Sequence, residues 1–289
     1  MSMDSKIFEG LCAFEANLYK EEPSLSPLEI IDIDYWVNMI VMFPSIRPHF
    51  LDKIVELCSV YCMNTEFKNA LLKKSAISTP VLVYRLFKKS AISFQEVSEY
   101  FHDDQVFLLC YYFQEEIPDF GSLIDAKEIP EEYFEIASIE PESLKAMFEF
   151  GFRPNSLEYC LKYDDLDGML KLISSTSGIN EISAEWSPFE WSFRPKSLDL
   201  LSFCAIFGST KCFKQLLMMG MCVTPEIVES VVCGGSMQLY HLCGISGLNF
   251  SDLMINAISF YRLDFLQYFI EQGTSVNYIG YIVYFIYFH

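Results

Sequence analysis

The chain has 289 residues, of which 52% are apolar and 20% charged, a balance that excludes an intrinsically disordered chain and leaves ample material for a core. With 13 Gly and 12 Pro it is neither collagen-like nor of low complexity. Twenty basic residues against 39 acidic ones give a net charge of −19, which is repelled by phosphate backbones and anionic lipid, so neither nucleic acid nor a membrane surface is an expected partner.

Residues 1 to 46 carry 8 acidic and 2 basic residues. The opening Met1 to Glu22 is broken by Asp4, Lys6, Glu9, Glu15 and Lys20, unlike the uninterrupted apolar run of an export signal. Ile30 to Phe43 is an apolar segment, punctuated by Asp32 and Asp34, that ends before Pro44, and the region predicts one or two helices. From Arg47 to Lys89 the balance reverses to 8 basic against 3 acidic residues, and Phe50 to Cys62, Glu66 to Leu72 and Pro80 to Phe87 predict consecutive short helices. The hexapeptide KKSAIS occurs twice, at Lys73 to Ser78 and Lys88 to Ser93, each copy following an apolar run where cations favour a helix C-terminus. Glu96 to Glu149 holds 15 acidic residues and 2 basic ones. These read as solvated helix faces, with a docking face for a basic partner as the functional alternative. Pro130-Glu131-Glu132 and Pro141-Glu142-Ser143 predict helix starts, and Gly151 a stop.

The C-terminal third repeats with a period of 26: Leu201, Ile227 and Leu253 align, as do Ala205, Val231 and Ala257, and Ile206, Val232 and Ile258. Further along, Phe213, Leu239 and Phe265 coincide, then Leu216, Leu242 and Tyr268, then Leu217, Cys243 and Phe269. The spacings place one apolar stripe on each of two short helices, so each unit is an αα-hairpin. Ser197, Thr224 and Ser251 are the expected N-caps of the first helices, with Pro225 at a first helical position. Gly208 and Gly234 separate the two helices, and Gly220, Gly247 and Gly273 end the second. Gln215, His241 and Gln267 share one polar column facing solvent. A more divergent unit lies 44 residues upstream, with Leu157, Leu161, Met169, Leu172 and Ile173 on the apolar positions, and 131 to 151 is a candidate further unit. The intervening Ser174 to Lys196 contains Trp186, Pro188, Phe189, Trp191 and Pro195 and predicts a long loop, whose aromatics either anchor a partner or cover the end of a helical layer.

These residues resemble divergent ankyrin repeats. Thr224-Pro225 is similar to the Thr-Pro that opens an ankyrin helix pair, Ala205-Ile206-Phe207-Gly208-Ser209 to its inter-helix turn, and Leu216-Leu217 with Gly220 to its ending. The layout also resembles an uncharacterised ankyrin-like protist family, a domain of unknown function, over about 153 to 277. A period of 26 is about seven short of the usual unit, which reduces the projecting fingers to loops such as Met221 to Val223. The implied fold is all-α: an α-solenoid of stacked antiparallel helix pairs over 153 to 277 with the inserted loop 174 to 196, preceded by a helical region 1 to 152, which itself suggests degenerate repeats. It is followed by the uncharged apolar tail Tyr278 to His289, whose 12 residues fall short of the roughly 20 a spanning helix needs.

Candidate chemistry is sparse. Cys58 and Cys62 lie at i and i+4 without a second ligand pair for zinc, and counting back from Gly168 fails the calcium-loop pattern in Asp164-Asp165-Leu166-Asp167-Gly168. Neither a phosphate-cradling glycine loop nor a nucleophile elbow occurs, so no cofactor is expected. Ten cysteines without an export signal predict reduced thiols and a cytoplasmic protein. The expected function is a non-enzymatic protein-protein interaction scaffold that binds through Trp186, Trp191, Lys211, Gln215, Tyr240, His241 and Gln267. Two other readings fit the same residues: a self-associating or truncated family copy, and an enzyme with an acidic site in the N-terminal half.

Overall fold

A computed structural model describes residues 33–46, 51–101, 107–125, 136, 139–174, 179–190, 198–244, 250–260 and 262–273, and these are predominantly helical. The chain divides into two compact units, Met1–Pro141 with Trp191–Phe193, and Glu142–Glu190 with Arg194–His289.

In the first unit α1 (Ile33–Ile46) continues two residues beyond Pro44 instead of ending before it, because a proline in the last turn removes only one backbone donor there. Next come α2 (Leu51–Tyr61), α3 (Thr65–Ser78), α4 (Pro80–Lys88), α5 (Phe94–Ser98), α6 (Phe107–Tyr112) and α7 (Phe120–Asp125). The Asn64 side chain caps α3 by accepting from the Phe67 N–H at 3.0 Å, and Pro80 opens α4. Helices α1 and α3, α2 and α4, and α4 and α6 pack on each other, so alternate helices are neighbours. Their interface buries Ile54, Leu71, Leu82, Leu86 and Phe113 completely. The segment Pro130-Glu131-Glu132 lies outside the described residues.

The two KKSAIS copies differ in conformation. The first is helical throughout as the end of α3, held there by Ser75 and Ala76, which face the core; the Ser75 hydroxyl donates to the Leu71 carbonyl. Only the second copy leaves a helix: Lys88 ends α4, Ser90 takes a φ of 58°, and Ser93 caps α5. In that cap the Ser93 hydroxyl accepts from the Glu96 N–H at 3.3 Å, while Glu96 Oε2 accepts from the Ser93 N–H at 2.8 Å. Lys68 bonds the same carboxylate, and together they hold the Glu96 carboxyl down to about 2 from 4.5. A depressed carboxyl stabilises fully above its unfolded value, so this contribution is intact above about pH 4.5 and lost as pH falls toward 2. With Glu96 one-third exposed, solvent screening leaves about 1 kcal/mol. Urea unfolding across that window is expected to show Glu96→Gln less stable than wild type at neutral pH, with the two converging near pH 2.

The second unit starts within α8 (Pro141–Phe150), which opens at the expected proline and stops at Gly151 with φ 81°. Four helix pairs follow: α9 (Leu157–Lys162) with α10 (Leu166–Ile173), α11 (Leu200–Phe207) with α12 (Thr210–Met218), α13 (Pro225–Gly234) with α14 (Met237–Cys243), and α15 (Phe250–Ser259) with α16 (Leu263–Glu271). Between α10 and α11 the described loop residues contain two short strands, β1 (Ser183–Ala184) and β2 (Leu198–Asp199), paired antiparallel with Ser183 opposite Asp199. The sequence expectation of plain loop missed this ladder.

First helices pack in the order α9, α11, α13, α15, and second helices in the order α10, α12, α14. The first-helix columns are buried as the period requires: Leu201, Ile227, Leu253, Ala205, Val231 and Ala257 are all core residues. Phe213, Leu239 and Phe265 on the second helices are fully buried, each contributing about 1.5–3 kcal/mol. The next column breaks, because Leu216 is buried while Leu242 is 39% exposed and the upstream Leu172 42%. The register does not slip there, since Leu242 follows the fully buried Leu239 by three residues as Leu216 follows Phe213.

The caps also depart from the expectation. Asp199 caps α11, accepting from the Ser202 N–H at 2.9 Å; Ser197 lies outside the described residues. Thr224 and Pro225 stand where predicted, although the Thr224 side chain makes no cap bond, and Ser251 falls inside α15. Gly208 and Gly220 take left-handed conformations, as does Gly273. Gly234, by contrast, is helical, and Gly235 at φ 80° is the true cap. Gly244 ends α14 in place of Gly247, which is outside the described residues. Asp164 at φ 55° supplies a cap from the neighbouring pair: its carboxylate accepts from the Cys212 N–H at 2.9 Å and the Lys211 N–H at 3.2 Å, because the Ser209 side chain makes no cap bond to α12. Among the described residues no helix is long and apolar enough to cross a membrane.

Candidate interaction surface

Trp186 sits on the segment Ile179 to Glu190, which returns across the first helices of its own unit. Its indole stacks on Phe207 with centroids 5.7 Å apart and meets Phe152 and Phe203 at 6.0 and 5.5 Å. Trp186 is therefore half-buried against its own chain, the covering role rather than a projecting anchor, and its Nε1 is buried with no acceptor among the described residues. Two further ties fix the segment: the Glu185 N–H donates to Glu158 Oε1 at 3.3 Å, and Phe189 packs edge-on to Phe148 at 5.1 Å. The third is ionic, Lys162 Nζ to Glu190 Oε2 at 2.6 Å, with both side chains buried. The same ammonium donates to the Phe150 carbonyl at 2.8 Å and lies over the rings of Phe152, Tyr163 and Phe207. Gly151 leaves the room, since a Cβ there would stand 2.5 Å from Glu190 Oε2. Trp191 lies outside the described residues.

The other predicted residues fall on second helices. Lys211 is exposed in the first turn of α12, Gln215 is half-buried on the same helix, and His241 and Gln267 are exposed on α14 and α16. Tyr240 and His241 are brought together with Tyr268: the Tyr240 and Tyr268 centroids are 5.6 Å apart, and His241 to Tyr268 is 6.1 Å. Burial, with Tyr268 and Cys243 nearby, pushes the Tyr240 hydroxyl up to about 12, so it remains a neutral donor at any physiological pH. Gln267 Nε2 donates to Glu271 Oε1 at 3.0 Å. Tyr268 was read as a core position and is half-buried.

Sequence periodicity did not foresee the exposure of five apolar side chains near the ends of the second helices. Met218 is 74% exposed, and Leu172, Met219, Leu242 and Ile270 are also exposed. Met218-Met219 before Gly220 was visible as a pair, but only the helix rotation in space reveals which side of α12 it occupies. Polarisable methionines adapt to many partner shapes.

The rest of the described surface offers little chemistry. A depression of about 450 Å³ in the first unit is lined by Phe87, Ser90, Ala91, Ile92, Ser93 and Glu96, with Glu96 its one carboxylate. No three described His, Cys, Asp or Glu residues are placed to hold a metal. Burial pushes the Cys58 thiol well up and raises Cys62 to about 11 and Cys233 to about 12, which leaves these thiols protonated and weakly nucleophilic. Comparison with protein-family models, with curated proteins and with solved structures gives no match to this chain.

Proposed function

We propose that the second unit is a solenoid of shortened ankyrin-like helix pairs that binds another protein without catalysis. The observation that carries this reading is the order of packing, first helix on first helix and second on second through successive pairs. Such stacking fixes a continuous surface while leaving its exposed positions free to suit a ligand. The contact face comprises Lys211, Gln215, Tyr240, His241 and Gln267, with Met218 and Leu242 as apolar anchors beside them. The test is quantitative capture by the full chain and by a variant with Lys211, Gln215, Tyr240, His241, Gln267 and Met218 all replaced by alanine. A specific partner is expected to be retained by wild type and depleted at least about tenfold by the variant, a loss of about 1.4 kcal/mol or more. Partners retained equally by both overturn the surface assignment.

The exposure of Met218 also favours a second occupant, another copy of the chain. Light scattering separates the two, because self-association doubles the molar mass and the same variant returns it to one chain.

A further inference from the structure

We propose that Ser90 is a phosphorylation site, the acceptor for a protein serine kinase that recognises basic residues and uses ATP. The first argument is conformational. Helix α4 closes with the Ser90 N–H donating to the Phe87 carbonyl at 2.8 Å and the Ala91 N–H to the Leu86 carbonyl at 3.0 Å. The same two-bond pattern recurs at Gly208 and Gly220, where glycine supplies the left-handed residue at no steric cost. The other described non-glycine residues with positive φ are Asp119, Asn155 and Asp164, the side-chain types that tolerate this region best. Ser90, at φ 58°, is held against its own preference in a position that asks only for glycine.

The second argument is its surroundings. Ser90 is exposed, and Lys88 and Lys89 immediately before it are exposed too, with Arg85 one turn back on α4. Arg85 and Lys89 pair with Asp52 and Glu56 of α2 at 3.2 and 3.5 Å, and Lys88 lies 5.1 Å from the Tyr84 ring. The third is an internal control: the identical hexapeptide at Lys73 to Ser78 presents Ser75, which is fully buried in α3. Local sequence alone marks both serines, and only the fold separates them. Fraying of the last turn of α4 delivers Ser90 in an extended form and at the same time relieves its left-handed backbone.

In the transfer, Ser90 Oγ bonds to the γ-phosphorus of ATP as the bond from that phosphorus to the β-γ bridging oxygen breaks. ADP departs, and the hydroxyl proton passes to the kinase's catalytic carboxylate. The product adds about −1.5 to −2 charge beside Lys88 and Lys89. It competes with Asp52 and Glu56 for Arg85 and Lys89, loosening the ionic ties between α2 and α4.

The test treats the folded full chain with the catalytic subunit of cyclic-AMP-dependent protein kinase and Mg-ATP, and maps phosphate by peptide mass spectrometry. Phosphate is expected on Ser90 and not on Ser75, with at least tenfold slower incorporation in the Lys88→Ala/Lys89→Ala variant. Absence of phosphate at Ser90, or equal labelling of Ser75, overturns the proposal. Ser90→Gly provides an independent reading without a kinase: its melting temperature is expected to exceed wild type, and an unchanged or lower value removes the conformational argument. Neither readout depends on the partner surface of the second unit.

Discussion

Replacing Glu190 with glutamine is expected to lower the unfolding free energy of the second unit by about 3–5 kcal/mol, the range for breaking a buried ion pair by removing one charge. The size follows from burial, since the Lys162 side chain is 8% exposed and that of Glu190 is 0% exposed. Water cannot reach in to replace the lost carboxylate, and the Phe150 carbonyl and three ring faces compensate only part of the ammonium's charge. Lys162→Met should cost a comparable amount by removing the cation from beside the buried Glu190 carboxylate. Replacing both together by methionine is expected to recover most of the loss, because an apolar pair of similar volume carries no desolvation penalty. Urea unfolding of wild type, Lys162→Met, Glu190→Met and the double variant gives the coupling directly. A Glu190→Gln cost below about 1 kcal/mol would place the pair in solvent and release the Trp186 segment from the helices it covers.

The second large effect is expected at Gly234, where alanine should destabilise by about 3 kcal/mol. A Cβ at this helical glycine would stand 1.9 Å from the Ala205 carbonyl oxygen and 3.1 Å from Ile206 Cα, all backbone atoms that cannot rotate away. Helices α11 and α13 must then separate, and with them the whole row of first helices. Gly208→Ala is the control, since its added Cβ meets nothing within 4 Å and the cost is only that of a left-handed φ, about 1 kcal/mol. Thermal melts of the two variants should therefore differ clearly, with Gly234→Ala the lower. Equal effects would mean that α11 and α13 are not in backbone contact.

The same glycine illustrates what could be read from the sequence. Within Cys233-Gly234-Gly235-Ser236 both glycines look like a break between helices, yet one provides the turn and the other the close approach. Local sequence does not separate these roles, because the second depends on Ala205, 29 residues away. The buried columns through Leu201, Ile227 and Leu253 were legible, since a repeated period reports a repeated environment. Contacts that occur once leave no period. The Lys162–Glu190 pair spans 28 residues, and Asp164 reaches α12 from 48 residues upstream of Cys212. Arg262 likewise donates its Nε to the Cys233 carbonyl at 2.7 Å, closing the end of α13 from the next helix pair. Of the candidate surface, the polar column Gln215, His241 and Gln267 was found by register, with only Gln215 partly covered. Trp186 was recognised as either anchor or cover, and its stacking on Phe207 selects cover.

The most direct measurement of the proposed stack is an experimental structure of the full chain. The account predicts α11 lying between α9 and α13, with Gly234 against the Ala205 carbonyl and Leu201, Ile227 and Leu253 in equivalent buried settings. Helices α11 and α13 out of contact, with those three residues in unrelated environments, would contradict it.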